Sequence, residues 1–387
     1  MAGKEKPYKL YRGGRVKGPV KPLREGRDTR RDGDGRDRKP VKPKRRRRVR
    51  RTIVLLLVGL VVVALVWALL GYLAVRRGVG DANERLGGAA ARALAPSDGS
   101  ILSTPTNILV LGADAGGRRE DRQGTGRSDS IMLIRTDPGD HRISYLSLPR
   151  DLRVAIPGRG VDKINSAYSY GGPALSIQTV ENLTGLGMHH VIVVDFATFK
   201  EVIDAVGGIT IQNPKPVLSN PFDCPFTGAE RCARFKGWRF KQGDIELDGR
   251  RALIYARIRK NQLDPSESDL TRGERQQRVL QGLTDEILGV SGFLRMPFIG
   301  DDIVKPLATD LSTNELLGLS WVRWRAAADK TLRCRFGGTP VDDGASYIQP
   351  SEDNALVIAQ ITGKSAPQRP PRGQPFAPGC FVGRAGG

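Results

Sequence analysis

The chain has 387 residues and a formal net charge of +21 at pH 7. Residues 1–52 carry 22 Lys and Arg against 6 Asp and Glu, whereas the remaining residues carry 40 against 35. The charge therefore belongs mainly to an N-terminal segment, and it does not indicate a folded domain that binds nucleic acid. The length is enough for one large domain with appendages.

The first 75 residues predict a membrane anchor preceded by a basic tail. Residues 1–52 contain too few apolar side chains to offset the entropy of folding, so we expect this tail to be disordered. Residues 53–75 carry no charge, and at about 1.5 Å per residue they exceed the roughly 30 Å hydrocarbon core of a bilayer. A cleaved signal peptide is the alternative, but this run is longer and no clear small-residue cleavage site follows it.

The charges that flank the apolar run predict its orientation. The basic cluster before it is much larger than the pair Arg76 and Arg77 after it. Because positive charge stays on the cytoplasmic side, we expect a single-pass protein of the cell membrane with a cytoplasmic N-terminus and an extracytoplasmic C-terminal domain. The tail is expected to contact anionic membrane lipid, and no nucleic-acid partner is expected.

The rest of the chain divides by composition. Residues 76–105 are rich in Ala, Gly and Ser and predict an extracytoplasmic linker, part of it helical. In residues 106–365 strand patterns alternate with helix patterns, which is typical of a layered α/β domain. Residues 366–387 are rich in Pro and Gly and predict a loose tail.

Three short apolar runs at the start of this domain predict three strands. The runs are residues 107–112, 131–135 and 143–148. If they form a meander, Asp114, Asp129 and Arg150 collect at one end of the sheet, together with a loop that contains several Arg residues. Carboxylates hold Mg²⁺ and Arg forks match phosphate oxygens, so this pattern suits a divalent cation and a phosphate-bearing ligand. The alternative is a solvated, charged loop end.

A predicted helix at Asp269–Leu288 provides a second anion site. Arg272, Arg275 and Gln276 lie on its first turns, where unpaired N–H groups and the helix dipole favour anions. An apolar stripe continues below them at Val279, Leu283 and Ile287. The pattern is typical of an anion cradle with an apolar floor, and the alternative is that the Arg side chains only cover the rim of a core helix.

Two further arginines precede this helix. Asp248 can cap a helix that runs to about Tyr255, and Arg257 and Arg259 follow. If this piece is extended, both arginines point to the same face. A Walker-type phosphate loop is excluded, because residues 112–117 lack its Lys-Ser/Thr ending.

Four cysteines lie beyond the predicted span, which fits a non-reducing compartment. Cys224 and Cys232 are close enough in sequence for a local disulfide, and Cys334 with Cys380 would close a longer loop. Zinc binding is the alternative. The spacing matches no common zinc pattern, and the chain has only three His.

Six separated motifs occur in an order that resembles the LytR-CpsA-Psr (LCP) family of bacterial cell-envelope proteins. They are residues 107–114 (NILVLGAD), 127–129 (RSD), 149–151 (PRD), 163–165 (KIN), 256–259 (ARIR) and the set Asp269, Arg272, Arg275 and Gln276. The resemblance covers residues 106–289. It implies a mixed central β-sheet flanked by helices, with a long apolar pocket for a polyprenyl chain.

The resemblance also implies an activity and a set of site residues. The activity is transfer of a glycopolymer from a polyprenyl-pyrophosphate carrier to a sugar hydroxyl of peptidoglycan, with Mg²⁺ or Mn²⁺. Asp114 and Asp129 correspond to metal ligands, and Asp129 and Arg150 to catalytic residues. The pyrophosphate-binding residues implied are Arg127, Arg257, Arg259, Arg272, Arg275 and Gln276. Two alternatives stay open: a pyrophosphate hydrolase, and a non-catalytic protein that binds the lipid carrier.

Overall fold

The computed structural model describes residues 44–383, except 115–125, 266, 268, 343–345, 372 and 375. Disorder is predicted for residues 1–52; residues 1–43 lie outside the described residues, whereas residues 44–52 are helical, because the helix of the apolar run extends back into the basic cluster. The described helices are α1 (Lys44–Leu86), α2 (Gly88–Ala93), α3 (Ser166–Thr184), α4 (Phe196–Ala205), α5 (Ala229–Ala233), α6 (Gly249–Arg257), α7 (Asp269–Leu288), α8 (Val290–Val304), α9 (Thr313–Arg325) and α10 (Asn354–Ile361). A short 3₁₀-helix spans Ala328–Lys330.

The strands alternate with these helices along the domain. They are β1 (Thr106–Asp114), β2 (Arg127–Asp137), β3 (Arg142–Leu148), β4 (Arg153–Ile156), β5 (Gly160–Lys163), β6 (His190–Asp195), β7 (Ile209–Asn213), β8 (Val217–Leu218), β9 (Arg239–Phe240), β10 (Gly243–Leu247), β11 (Ala308–Thr309), β12 (Leu332–Arg335), β13 (Gly338–Asp342), β14 (Ser346–Pro350) and β15 (Gly379–Val382).

Seven strands form the central sheet, in the order β11-β6-β1-β2-β3-β12-β15. β1, β2 and β3 form the predicted antiparallel meander. β6 pairs parallel to β1, and β12 pairs parallel to β3. The sheet is therefore mixed, and the predicted α/β fold is confirmed.

Both faces of the sheet are covered, because successive side chains of a strand point to opposite faces. Leu109, Leu133 and Leu146 are fully buried against one layer that includes Ile177 of α3. Their sequence neighbours Met132 and Tyr145 belong to a separate cluster that includes Val322 of α9. α7 lies on this second side, with Leu280 packed against that cluster.

The N-terminal helix α1 continues beyond the predicted span. It contains a segment that is long and apolar enough to cross a membrane. The segment predicted as a linker is helical through Leu86 and again in α2, and Ala82 and Ala90 are almost completely buried. Small side chains here allow close packing, so helix and domain share a core at a place where composition alone predicts a stalk.

The four cysteines form two disulfides, as the sequence predicts. Cys224 is bonded to Cys232 within the segment between β8 and β9. Cys334 is bonded to Cys380, and these residues are register partners on β12 and β15. β15 is an edge strand of the central sheet and lies within residues 366–387, which the composition predicts to be a loose tail, so that prediction is wrong for this part of the segment, and the second disulfide cross-links β15 to β12.

Candidate active site

The carboxyl ends of several strands meet at one end of the central sheet. Because β6 runs parallel to β1, Asp195 lies in register with Ala113, next to Asp114. β12 runs parallel to β3, so Arg335 lies in register with Ser147, just before the loop that carries Arg150. The predicted convergence of charged residues at this end is thus a consequence of the strand directions.

Asp129 lies at a β-bulge. In the register of β1 with β2, Gly112 pairs with Ser130 and Ala113 pairs with Ser128, so Asp129 has no partner on β1. A bulge adds one residue to one strand and changes the direction of its side chain. Here the residue added is the carboxylate that the sequence predicts to be functional.

Arg150 is held beside Asp129 by a chain of ion pairs. Its Nη1 donates to Asp129 Oδ1 at 2.5 Å, and its Nε donates to Asp151 Oδ2 at 3.3 Å. Lys163 Nζ lies 3.0 Å from Asp151 Oδ1. The backbone N–H of Asn165 donates to the Arg150 carbonyl oxygen at 3.2 Å. The motif around Lys163 therefore supports Arg150 and fixes its orientation.

α7 crosses directly over this end of the sheet. A Cβ on Gly273 would lie 2.9 Å from the side chain of Ser147, so glycine is needed for this approach. The neighbouring residues make specific contacts: Ser130 Oγ donates to Gln276 Oε1 at 2.8 Å, and Gln277 Nε2 donates to Cys334 O at 3.0 Å. These contacts fix the first turns of α7, and Arg272 with them, against the sheet.

A cavity of about 510 Å³ opens at this point. One part of its wall is charged and polar and is called the mouth, since its Asp129 and Arg257 side chains are partly exposed, and the other part is apolar and is called the interior. The mouth includes Asp129, Ser130, Asp195, Arg257, Arg259, Lys260, Arg272 and Gln276. The interior includes Val110, Met132, Val194, Phe199, Val202, Val279, Leu280, Leu283 and Leu307. The predicted apolar stripe of α7 is part of this floor through Val279 and Leu283.

Arg257 and Arg259 both line the cavity, although the local structure differs from the expectation of an extended segment. Arg257 is the last residue of α6, which Asp248 caps as predicted, and the chain becomes extended only from Ile258. Ile258 is buried between the two arginines. The apolar side chain thus anchors this turn and leaves both guanidinium groups on the cavity wall.

The disulfide-bonded segment between β8 and β9 forms another wall, which sequence reasoning missed. Phe222 lines the cavity, and the Arg257 guanidinium lies 5.7 Å from its ring and 4.7 Å from that of Phe196. Arg257 Nη1 also donates to Asp223 Oδ2 at 2.5 Å. The available signal was an aromatic and a carboxylate beside Cys224 in a Pro/Gly-rich segment.

Arg275 has a different place from the one expected. It is almost completely buried, and it does not belong to the cavity wall described above. Its guanidinium forms an ion pair with Glu267, and its Nη1 donates to the Ile258 carbonyl oxygen at 3.2 Å. Arg275 thus ties α7 to the turn that carries Arg257 and Arg259, so it supports the site from behind.

Arg335 is a further basic residue at this end that the sequence analysis did not single out. Together with Asp129 and Arg272 it lines a small notch beside the cavity. Its Nη1 donates to Glu274 Oε1 at 3.1 Å and its Nε to the Ala377 carbonyl oxygen at 3.0 Å. Burial lowers the pKa of Arg335 from its ordinary value, and Glu274 partly offsets this effect.

Of the two predicted metal ligands, Asp129 has a described side chain. The side chains of Asp114 and Arg127 lie outside the described part of the chain, although their backbones are register partners at this end of β1 and β2. Asp129 is partly exposed at the mouth of the cavity. Mg²⁺ is commonly bound by one or two carboxylates, with substrate phosphates and water completing its shell. The donors described here fit that type of site; within the described residues, three or more His, Cys, Asp or Glu do not come together as a metal-binding group.

The sequence that forms this fold and site matches a known protein family. The sequence model of the LytR_cpsA_psr family matches residues 89–363. The chain belongs to the LytR_cpsA_psr family. Membership explains why the motifs that resemble this family converge at one end of one sheet.

Relatives and solved structures agree with this membership. The polyisoprenyl-teichoic acid–peptidoglycan teichoic acid transferase TagU of Oceanobacillus iheyensis is 35% identical over 266 residues, which are 66% of this chain and 75% of TagU. The crystal structure of B. subtilis TagV superimposes with a TM-score of 0.55 at 27% identity, covering 68% of this chain and 97% of TagV. A LytR-CPS2A-psr family protein, YwtF (TagT), with bound octaprenyl pyrophosphate lipid has the same fold, with a TM-score of 0.50 at 22% identity over 69% of this chain and 92% of that protein.

Proposed function

We propose that this protein transfers a glycopolymer from a polyprenyl-pyrophosphate carrier to a sugar hydroxyl of peptidoglycan during cell-wall assembly. The observation that carries the proposal is a cavity that combines basic groups at its mouth with an apolar interior. A carrier lipid has the same two parts, a pyrophosphate and an isoprenoid chain. The relative TagU is named as a teichoic acid transferase, and the solved YwtF structure holds octaprenyl pyrophosphate.

The mouth would bind the pyrophosphate. Arg257, Arg259, Arg272 and Gln276 approach it from α6, the turn after α6, and α7. In a site largely shielded from water, guanidinium groups bind phosphate oxygens strongly and often through two parallel hydrogen bonds. Arg127 belongs to the same proposal through its position at the start of β2. Arg275 contributes indirectly, by holding the turn that carries two of these arginines.

The reaction would exchange one bond at phosphorus. The acceptor hydroxyl oxygen forms a bond to the polymer-side phosphorus, and the bond between that phosphorus and the bridging oxygen of the pyrophosphate breaks. Polyprenyl phosphate leaves, and the hydroxyl proton passes to a base. Asp129 and Asp195 are the carboxylates on the described cavity wall. Arg150, 2.5 Å from Asp129, would orient that carboxylate or stabilise the charge that develops on the phosphoryl oxygens.

A divalent cation is part of the proposal. Asp129, with Asp114 from the adjacent strand, would hold Mg²⁺ or Mn²⁺ together with oxygens of the substrate. Such an ion supplies neutralisation of phosphate charge and lowers the pKa of a bound hydroxyl. The described residues would still perform the binding and the orientation of the carrier.

The membrane anchor would place the cavity close to its substrate. We infer that α1 spans the membrane with the N-terminus in the cytoplasm, since its basic flank precedes the apolar run. The carrier lipid cannot leave the bilayer, so an anchored domain outside the cytoplasm reaches it without diffusion through water. Protease added to intact cells should then cleave the C-terminal domain and leave the tail intact.

A transfer assay separates the proposed function from its alternatives. The full-length protein is reconstituted in nanodiscs with a lipid-linked glycopolymer, with and without peptidoglycan. The proposal predicts a covalent polymer–peptidoglycan product and release of polyprenyl phosphate that depends on peptidoglycan. Equal release without peptidoglycan would indicate a hydrolase. Tight carrier binding without either product would indicate a carrier-binding protein.

A further inference from the structure

α8 presents an unusual surface for a helix of an extracytoplasmic domain. Four of its large apolar side chains are strongly exposed: Val290 (78%), Phe293 (57%), Leu294 (54%) and Phe298 (71%). Their spacing places them on one side of the helix, since residues three and four apart are neighbours on a helical surface. The other side of α8 packs into the domain through Ile299 and Ile303, which are buried.

α8 packs directly on the part of α1 that belongs to the candidate membrane span. The rings of Trp67 and Phe298 are in an edge contact, with centroids 5.6 Å apart. Farther along, a Cβ on Gly71 would lie 3.3 Å from Met296 Cγ, and a Cβ on Gly300 would lie 3.0 Å from Val75 Cγ2. Small residues at such contacts let two helices approach closely, as is common for helices within membranes.

These contacts fix the depth of α8 relative to the span. Gly71 contacts Met296, and farther along the chain Gly78 contacts Asp301. The residue numbers of these partners increase along both helices, so α1 and α8 run in the same general direction. Gly71 precedes the charged residue Arg76 by about 7.5 Å along the helix axis. The first nine residues of α8, which carry the exposed apolar side chains, therefore lie at the level of the apolar segment of α1.

The polar groups of α8 agree with this placement. Asp301 and Asp302 lie in its last turns, and Lys305 just after it is 3.5 Å from Asp81 of α1, beyond the apolar segment. The one basic residue in the first half, Arg295, turns inward, and its Nη1 donates to the Val206 carbonyl oxygen at the end of α4 at 2.6 Å. The charged side chains of α8 thus lie toward the water side or point into the protein, and its exposed apolar side chains point away from the protein.

We propose that the first nine residues of α8 are embedded in the lipid bilayer beside α1, with Val290, Phe293, Leu294 and Phe298 in contact with acyl chains. At the same level α1 also exposes large apolar side chains on its other side, among them Leu65 and Leu69, while Trp67 contacts Phe298 of α8. The domain is then partly embedded in the membrane through α8, and it does not stand on a free stalk. Because Arg295 ties α8 to α4, and α4 lines the cavity, this placement holds the cavity at the membrane surface. This last consequence rests on the proposed function, whereas the embedding does not.

The depth of single labelled positions tests the proposal without any activity measurement. Leu294→Cys and Val290→Cys are labelled with an environment-sensitive fluorophore in the full chain, with one copy in each nanodisc. Leu65→Cys is the control for the span. Val161→Cys, at a position that is 60% exposed on the β4–β5 hairpin, is the control for water. Quenching is measured with nitroxides on lipid tails and with iodide in water.

The expected result is that positions 290 and 294 behave like position 65, with strong quenching by lipid nitroxides and several-fold weaker quenching by iodide than at position 161. Using two positions guards against a local disturbance by one label. If position 65 is embedded while 290 and 294 are quenched by iodide as position 161 is, the proposal is overturned. Protection of both positions from both quenchers would also overturn it, since protein would then cover the helix. Loss of transfer with unchanged depths would count against the proposed function alone.

Discussion

The two ends of the central sheet contain similar ion pairs and depressions, but the residues around them differ. Each end has an Asp–Arg ion pair: Arg150 with Asp129 at 2.5 Å, and Arg142 with Asp137 at 2.6 Å. Each also borders a depression, of about 510 Å³ at the first end and about 460 Å³ at the second. Neither a charged pair nor a space of sufficient volume therefore identifies a site.

The walls distinguish the two ends. At the hairpin end the wall contains Asp140 and Asp329 beside Lys330 and Lys364, and its remaining residues are mostly small or polar. At the other end several basic side chains stand above a deep layer of aliphatic and aromatic residues. Arg142 and Asp137 are register partners across the β2–β3 turn, so their ion pair stabilises a hairpin. The arrangement at the first end instead fits a ligand with an anionic head and an apolar chain.

The largest expected effect concerns the buried pair behind the mouth. Arg275→Met removes the buried cation paired with the Glu267 carboxylate and leaves it only Lys215, whose Nζ lies 3.2 Å away, so the loss should approach the roughly 3–5 kcal/mol typical of a broken buried pair. We expect chemical denaturation to show this loss. In contrast, Arg257→Ala removes a half-exposed pair with Asp223 and should change the free energy of unfolding by less than about 1 kcal/mol.

The double variant Arg275→Met/Glu267→Leu is the matched control. Replacing both partners of a buried pair with apolar side chains is often close to neutral, so much of the stability should return. A double variant as unstable as Arg275→Met would show that the lost contact to the turn after α6, rather than the broken ion pair with Glu267, determines the loss.

The second prediction compares the two Asp–Arg pairs in catalysis. Arg150→Ala should lower the transfer rate about a hundredfold or more, equivalent to about 2.7 kcal/mol of transition-state stabilisation. Arg142→Ala, a side chain of similar burial at the hairpin end, should leave the rate within about twofold. Arg150→Lys should recover little, since a point charge does not reproduce the planar fork. Equal losses for Arg150→Ala and Arg142→Ala would mean that both act through stability.

A metal titration sharpens the same comparison. If Asp129 helps to hold Mg²⁺, Asp129→Ala should lower transfer by roughly ten- to a hundredfold, about 1.4–2.7 kcal/mol, and part of the loss should return at high Mg²⁺ concentration. Asp137→Ala should show neither the loss nor the dependence on Mg²⁺. Should Asp129→Ala lose activity at every Mg²⁺ concentration equally, Asp129 would act as a base or as the partner of Arg150.

The smallest expected effect concerns pH at the hairpin end. The Asn107 backbone N–H donates to His189 Nδ1 at 2.9 Å, which requires an unprotonated nitrogen. Burial lowers the pKa of His189, and the nearby charges of His190 and Arg135 lower it further. At pH values below about 6.5, the ordinary pKa of histidine, His189 therefore binds a proton more readily in the unfolded chain than in the folded protein. The stabilisation is complete above that value and is lost as the pH falls toward the lowered pKa.

This effect can be measured through the melting temperature between pH 7 and pH 5. The wild type should lose stability on acidification more steeply than His189→Gln. His141→Gln is the control, since the ring of His141 lies near Arg325 outside this contact and its replacement should keep the wild-type slope. If all three slopes coincide, the hydrogen bond to His189 does not control the response to pH.

Local patterns were sufficient to predict much of this molecule. Short apolar runs predicted β1, β2 and β3, and Asp248 caps α6 as helix-capping rules indicate. α8 was missed, since an apolar segment with an internal Pro297 resembles neither a regular amphipathic helix nor a strand. Its role depends on packing against α1, which is distant in sequence.

The sequence predicted most of the residues that form the site. It predicted less well how these residues are arranged in space. Arg272 and Arg275 lie on adjacent turns of the same helix, and only the position of Glu267 decides which of them is buried in an ion pair. The bulge at Asp129 depends on the register with β1, which the sequence of β2 does not specify. Phe222 reaches the cavity from a segment without regular local pattern, so its contribution required the fold.

The proposal that the cavity binds the carrier lipid is tested most directly by a structure of the full-length protein with a polyprenyl pyrophosphate bound. We expect the pyrophosphate within hydrogen-bond distance of Arg272 and of at least one of Arg257 and Arg259, and the isoprenoid chain against Phe199 and Leu283. A carrier bound in the depression between Asp140 and Lys364, or a pyrophosphate at the mouth with its chain outside the apolar interior, would contradict it.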